Sequence, residues 1–250
     1  MRDPGSSWIW LMLAGFGGGV TGSVAGLASL VSYPALLAVG LAPIAANVTN
    51  TVALVLSAAG SVWGFRPELS ELRGTARRLA PLALAGGLSG SLLLLTTPSS
   101  YFVKVVPLLL TGASLAILAP RRQKAPSSAR PRKAQLVGVP AYLIGLYGGY
   151  FGAGAGIVML ALLLASTALS LTKCTALRNL LMGLTNLVAA GIFTFFGPVD
   201  WLAALPLAAG FLAGGRLGPA LVRRAPQWPL RVLIAAAGVA VAARLAASAY

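Results

Sequence analysis

The chain has 250 residues, of which 58% are hydrophobic and only 9% are charged, and its mean hydropathy is +0.86. A soluble globular protein needs more charged surface than this, so the composition predicts an integral membrane protein. The formal charge of +15 lies in short clusters between apolar runs, which argues against nucleic-acid binding. One cysteine and no histidine exclude an internal disulfide and the common metal-ligand sets, so neither a metal nor a cofactor is expected.

Long apolar runs occupy most of the chain, and most are close to the ~20 residues that cross a bilayer as a helix. They are too continuous for the alternating pattern of a membrane β-barrel. We therefore expect an all-α membrane protein. The runs lie at about residues 8 to 40, 45 to 65, 79 to 96, 101 to 119, 135 to 165, 175 to 196, 199 to 221 and 228 to 248.

The first run is interrupted by GFGGGVTGSVAG at residues 15 to 26, which has six glycines in twelve residues. This interruption, without a clear cleavage site, argues against a cleavable signal peptide. Glycine lets a helix bend sharply, so the run predicts a broken or re-entrant helical hairpin. The alternative interpretation is that Gly18, Gly22 and Gly26, four residues apart, let straight helices pack closely.

The second run opens with a polar cluster, NVTNT, at residues 47 to 51. Asn47, Thr49 and Asn50 offer neutral hydrogen bonds that suit a substrate in a dry site. The alternative roles for these side chains are helix capping and hydrogen bonding between helices.

Basic segments predict the cytoplasmic loops by the positive-inside rule. They are residues 66 to 78, the linker RRQKAPSSARPRK at 121 to 133, and residues 223 to 231. The loops at 97 to 100 and 197 to 200 then fall outside. The linker, taken as residues 120 to 134, divides one membrane domain into halves at residues 8 to 119 and 135 to 248.

Residues 135 to 165 lie between the basic linker and the basic residues Lys173 and Arg178, and both flanks favour the inside. A single span cannot begin and end on one side, so this run predicts a second hairpin that bends at residues 148 to 156. Each of its arms is too short to cross ~30 Å of hydrocarbon at 1.5 Å per residue.

The two glycine-rich stretches match when the first is moved forward by 130 residues, which places Gly22 on Gly152. A second match joins GGLSG at 86 to 90 to GGRLG at 214 to 218. Each half then contains a glycine-rich hairpin and three transmembrane helices. An odd number of crossings inverts the second half relative to the first, as in many secondary transporters.

The second half has its own polar cluster, KCTALRN, at residues 173 to 179. Arg178 has a planar fork suited to an oxyanion, and an arginine at mid-bilayer costs ~2.5 to 3.5 kcal/mol on insertion scales. Helix N-termini at the two bends also favour a small anion. The alternative is that Arg178 and Lys173 extend to the inner headgroups.

These features together resemble the sulfite exporter TauE/SafE family of membrane transporters over nearly the whole chain. The resemblance rests on the first glycine stretch followed by Pro34, on AANVTN at 45 to 50, GGYFGAGAG at 148 to 156, GPVDW at 197 to 201 and GFLAGGRLG at 210 to 218. It implies movement of sulfite, thiosulfate or sulfonates across the bacterial inner membrane. The substrate site that it implies comprises Asn47, Thr49, Asn50, Arg178, Asn179, Gly18, Gly19, Gly22, Gly148, Gly149 and Gly152.

The sequence therefore predicts a transporter, in the direction of export, for small sulfur-containing or organic oxyanions that works by alternating access. Its partners would be the anion and the lipid bilayer, with a homo-oligomer left open. An anion channel of the same architecture and a non-transporting assembly subunit are the alternatives. An enzyme is not expected, because the few carboxylates fall at loops or ends and Cys174 fits a packing role.

Overall fold

The computed structural model describes residues 4–102, 104–106, 108, 111 and 135–222. The linker at 120 to 134, the basic residues from 223 to 231 and the last apolar run lie outside the described residues. In chain order, the helices named below are α1 (Pro4–Ala25), α2 (Ala28–Ala38), α3 (Pro43–Gly64), α4 (Arg66–Glu71), α5 (Arg73–Thr96), α6 (Gln135–Tyr150), α7 (Ala155–Ser166), α8 (Leu171–Phe196) and α9 (Trp201–Val222).

Five helices in the described part of the chain are long and apolar enough to cross a membrane. They are Ser7–Ala25 within α1, together with α3, α5, α8 and α9. The described residues contain no strand, so the prediction of an all-α, multi-pass membrane protein is confirmed. By contrast, α2 and α7 have 11 and 12 residues, too few to cross ~30 Å of hydrocarbon.

A helical hairpin is formed by α1 and α2 around a break at Gly26, whose φ is +79°. A Cβ placed on Gly22 would lie 2.7 Å from the Cβ of Ala28, and one on Gly17 would lie 3.8 Å from the Val31 side chain. Residues fourteen positions apart would be separated by about 21 Å in a straight helix. The chain therefore turns back on itself, and the predicted break in the first run is confirmed.

The first arm of this hairpin is longer than predicted. At 22 residues, α1 extends through most of the glycine-rich stretch and is long enough to span the bilayer by itself. The glycines remain helical because α9 packs directly on them: a Cβ on Gly19 would lie 2.7 Å from the Gly215 nitrogen. Most of the stretch thus serves close helix packing, as in the alternative interpretation, and Gly26 alone makes the turn.

The second broken run consists of α6 and α7, with a break at residues 151 to 154 inside the predicted bend. Gly152 and Gly154 have φ values of +74° and +76°, which glycine adopts at little cost. The Tyr147 hydroxyl closes the break by donating a hydrogen bond to the Ala153 carbonyl at 2.7 Å. The predicted interruption of residues 135 to 165 is therefore confirmed.

Each hairpin packs on a long helix from the other half of the chain. The first hairpin lies against α9, and the second lies against α5, where a Cβ on Gly149 would be 3.0 Å from the Gly87 Cα atom. Two clusters of buried apolar residues accompany these contacts: the larger includes residues of α1, α2 and α9 together with α3 and α8, and the smaller includes residues of α5, α6, α7 and α8. The two halves are therefore interlocked by their hairpins.

Candidate functional site

Arg178 is the largest fully buried side chain in the described part of the protein, with 1% of its surface exposed. It lies two turns into α8, after a start at which the Ser170 hydroxyl accepts a hydrogen bond from the Lys173 backbone N–H. Its Nη2 atom donates to the Ser23 carbonyl at 2.6 Å and to Asn179 Oδ1 at 3.0 Å. The alternative that Arg178 extends to the headgroups is wrong, because its side chain is enclosed by protein.

Lys173 is placed differently from Arg178 although both lie on α8. It is at the beginning of the helix, where its Nζ atom forms an ion pair with Glu71 at 2.5 Å. Glu71 is the last residue of the short helix α4. The two basic residues of the second polar cluster therefore have separate roles, one at a helix end and one in the interior.

A cavity of about 70 Å³ lies between the two helix breaks and is lined by Arg178 and Asn179. The first turns of α2 and α7 also line it, through Ser29 and Gly156. The first N–H groups of a helix have no partner within the helix and form its positive end. A guanidinium and two helix N-termini therefore meet at one small cavity.

The first break touches the first turn of α7 beside Arg178. A Cβ on Gly26 would lie 2.8 Å from the carbonyl carbon of Gly156 and would also collide with Arg178 Nη1. A Cβ on Gly156 would likewise lie 2.8 Å from the Gly26 Cα atom. Only glycine allows the two hairpins to approach this closely.

In each hairpin, the helix before the break (α1 or α6) ends in a carbonyl group that accepts hydrogen bonds from side chains of the other half of the chain. The Ser23 carbonyl near the end of α1 accepts from Arg178 and also from Asn179 Nδ2 at 3.0 Å. The Tyr150 carbonyl at the end of α6 accepts from Asn47 Nδ2 at 2.9 Å. The negative ends of these helices are therefore compensated, while the positive ends of α2 and α7 face the cavity.

The structure separates the predicted site residues into two groups. Those that line the cavity are Gly22, Gly148, Gly152, Arg178 and Asn179. The remaining glycines of the prediction lie at contacts between helices: Gly18 against Phe211, Gly19 against α9 and Gly149 against α5. These three positions contribute close packing around the hairpins and do not line the cavity.

The polar residues Asn47, Thr49 and Asn50 are buried but lie outside the cavity lining. Asn47 holds the end of α6, as described above. Thr49 Oγ1 accepts a hydrogen bond from the Asp200 backbone N–H at 2.9 Å, which ties α3 to the start of α9. Their contacts are of the interhelical kind that the alternative interpretation described.

Asn50 joins α3 to the first turns of α2. Its Nδ2 atom donates to the Ser29 hydroxyl at 3.1 Å, and its Oδ1 atom accepts from the Ser32 hydroxyl at 2.6 Å. Because Ser29 lines the cavity, Asn50 is one residue removed from it. The side chain therefore orients a residue of the cavity.

Several residues of the cavity lining are absent from the predicted set. They include Thr51, Ser57 and Ser61 of α3 and Met182 and Asn186 of α8. Leu54 and Ala58 also line the cavity, so the α3 residues of the lining recur mostly at steps of three residues, and the two α8 residues are four apart. Each set therefore marks one helical face, and that periodicity, followed along each helix from its polar cluster, is the signal that would have found them.

The described carboxylates do not line the cavity. Glu71 pairs with Lys173, and Glu68 lies in the first turn of α4. Asp200 Oδ1 accepts from the Ala203 N–H at the start of α9. Within the part of the chain that the structure describes, no cluster of three or more histidine, cysteine, aspartate or glutamate residues could hold a metal ion. The cavity lining is thus positive and otherwise neutral.

Known proteins resemble this chain over most of its length. The family described as Sulfite exporter TauE/SafE matches residues 11–245. "Probable membrane transporter protein YfcA" of Escherichia coli (strain K12) is 28% identical over 241 residues, covering 94% of this chain and 86% of that protein. "Probable membrane transporter protein ORF9" of Sinorhizobium sp is 27% identical over 241 residues, covering 95% and 92%. No solved structure matches the chain significantly.

Proposed function

Because this chain belongs to the sulfite exporter TauE/SafE family of membrane transporters, we propose that it carries a small oxyanion across the bilayer through the cavity at Arg178. The observation that carries this proposal is the meeting of one buried guanidinium and two helix N-termini at a cavity that no described carboxylate lines. All three groups favour negative charge. The substrate class is a sulfur-containing oxyanion such as sulfite, thiosulfate or a sulfonate.

Within this site, Arg178 supplies the positive charge. Asn179 and Ser29 supply neutral hydrogen-bond donors, one from each half of the chain. Neutral donors fix the orientation of an anion without adding charge that would hold it too tightly for release. The contacts of Arg178 with Ser23 and Asn179 preorganise the guanidinium beside the cavity.

The contacts of the two halves support an inverted repeat in the register of the first glycine match. A Cβ on Gly86 would lie 2.7 Å from the Leu146 nitrogen, and one on Gly210 would lie 2.7 Å from the nitrogen of Phe16, which is 130 residues before Leu146. The shift changes only at the helix breaks, where Gly26 and Gly152, 126 residues apart, both have positive φ. A shift of 128 places Thr51 of α3 on Asn179 of α8, and both line the cavity. Equivalent residues around one central cavity fit alternating access, in which two repeats move around a fixed site.

The experiment that tests this function is uptake by the purified full-length chain in liposomes. Sulfite, thiosulfate, a sulfonate and a carboxylate are compared, with and without a pH gradient. We expect saturable uptake and counterflow for at least one sulfur oxyanion. Flux without saturation or counterflow would identify a channel instead, and the absence of flux for every anion would contradict transport by this chain alone.

A further inference from the structure

A basic and aromatic cluster lies on the outer surface of the protein, away from the cavity. Trp63, in the last turn of α3, is half exposed. The Arg216 guanidinium carbon lies 3.7 Å from the centre of the Trp63 ring system, and that of Arg66 lies 5.4 Å from it. Both arginines are exposed. One tryptophan therefore holds two cationic groups on the surface of the bundle by cation–π contacts.

The position of Arg216 along its helix indicates why it contacts Trp63. Its backbone packs beside Gly60, where a Cβ would lie 2.9 Å from the Arg216 nitrogen. Gly60 precedes the end of α3 by one helical turn, so the Arg216 backbone lies inside the apolar span while Trp63 lies at its end. The Arg216 guanidinium thus lies on a tryptophan at the end of the span, as expected of a charged group that avoids hydrocarbon.

The charge around this cluster is strongly positive. Residues 66 to 78 contain four arginines and two glutamates, and Arg216 adds a fifth arginine. Of the glutamates, Glu71 is paired with Lys173, and Glu68 lies in the first turn of α4. A cationic, aromatic surface at the end of membrane helices is the environment that attracts anionic lipid headgroups.

We propose that Trp63, Arg66 and Arg216 form a binding site for the phosphate of an anionic phospholipid in the leaflet next to the basic loop. The lipid tails would lie along the apolar outer surfaces of α3 and α9, below the two guanidinium groups. The location inside the span, at the hydrocarbon boundary, favours a lipid over a free phosphate ion. This site is independent of which anion the cavity carries.

Native mass spectrometry of the purified full-length protein in detergent tests the proposal. Phosphatidylglycerol and phosphatidylcholine with the same acyl chains are titrated, and glycerol phosphate serves as the soluble headgroup. We expect the wild-type chain to prefer phosphatidylglycerol. Arg216→Gln should weaken that binding about fivefold, the factor expected for one basic residue at an anionic surface. Trp63→Leu should also weaken it, because the guanidinium groups lose their platform.

A matched control is Lys104→Gln, which removes one exposed positive charge near the opposite end of α5 and should leave lipid binding unchanged. Arg66→Gln provides a second test if Arg216→Gln is poorly folded. Wild-type binding of phosphatidylglycerol by the folded arginine variants would overturn the proposal. Equal binding of glycerol phosphate would also overturn it, since the site would then select phosphate rather than lipid.

Discussion

Replacement of Arg178 by methionine is the most direct perturbation of the proposed transport site. A unit charge about 4 Å from an anion contributes roughly 4 kcal/mol at an effective dielectric constant of 20. Loss of one member of a buried charge pair typically costs ~2 to 5 kcal/mol. With about 3 kcal/mol as the central value, we expect the anion affinity to fall by about 100-fold, at ~1.4 kcal/mol per factor of ten.

The fold should tolerate the same substitution. Asn179 Nδ2 still donates to the Ser23 carbonyl at 3.0 Å, so that acceptor keeps a partner when Arg178 is gone. Methionine fills much of the volume and removes the cost of burying a charge. We therefore expect a melting temperature close to that of the wild-type chain.

The assay is initial uptake into liposomes over a range of anion concentrations, together with thermal unfolding in detergent. Lys173→Met is the matched control, since it removes a positive charge from the same helix at a partly exposed ion pair that does not line the cavity. That variant should keep the wild-type KM. Unchanged KM and maximal rate in Arg178→Met would refute the assignment of the site.

Three other perturbations test the hairpins and the topology. Gly26→Ala should lower the melting temperature more than Gly40→Ala, because both glycines have positive φ but only at Gly26 would the new Cβ meet backbone, 2.8 Å away. Equal losses would contradict the contact between the first break and α7. Asn50→Leu should lower the free energy of unfolding by about 1 to 3 kcal/mol, because the hydrogen bonds of Asn50 with two serines are lost. A raised KM without a change in thermal unfolding would instead identify Asn50 as a substrate ligand. The topology is tested with single cysteines in a chain that lacks the native cysteine. Gly74→Cys should react with an impermeant thiol reagent only from the cytoplasmic side, and Ser99→Cys should react only from outside. The reverse pattern would overturn the topology.

Much of the architecture was predictable because the bilayer leaves few alternatives. An apolar run of about 20 residues without a charge must be a helix, and a run that both starts and ends beside basic residues must turn back. These rules are local, and they gave the helix break between residues 135 and 165. They also selected Arg178. An arginine inside an apolar helix costs free energy, so its presence indicates a function.

The role of each glycine was not predictable by the same rules. Glycine at a bend and glycine at a helix contact look identical in the sequence. Only the backbone angles show that Gly26 turns while Gly22 and Gly19 stay helical. The extra length of α1 follows from the same fact, because α9 packs on the glycines that had suggested an early bend.

The polar cluster of α3 shows a similar limit. Asparagine and threonine can bind a substrate or join helices, and their chemistry is the same in both roles. Asn47 and Thr49 contact Tyr150 and Asp200, which lie 103 and 151 positions away in the chain. A residue's neighbours at such distances cannot be read from local sequence, and those neighbours decide its role.

The sequence by itself determined that the chain is a helical membrane protein, that two of its apolar runs are broken, and that a cationic group lies within the second half. Hydrophobic length, glycine content and the cost of a buried charge are properties of local segments. Only the tertiary structure decided that the two hairpins exchange partners, with α1 on α9 and α6 on α5, and that Gly26 and Gly156 meet beside Arg178. These contacts depend on close packing between segments far apart in the chain, and that packing creates the cavity.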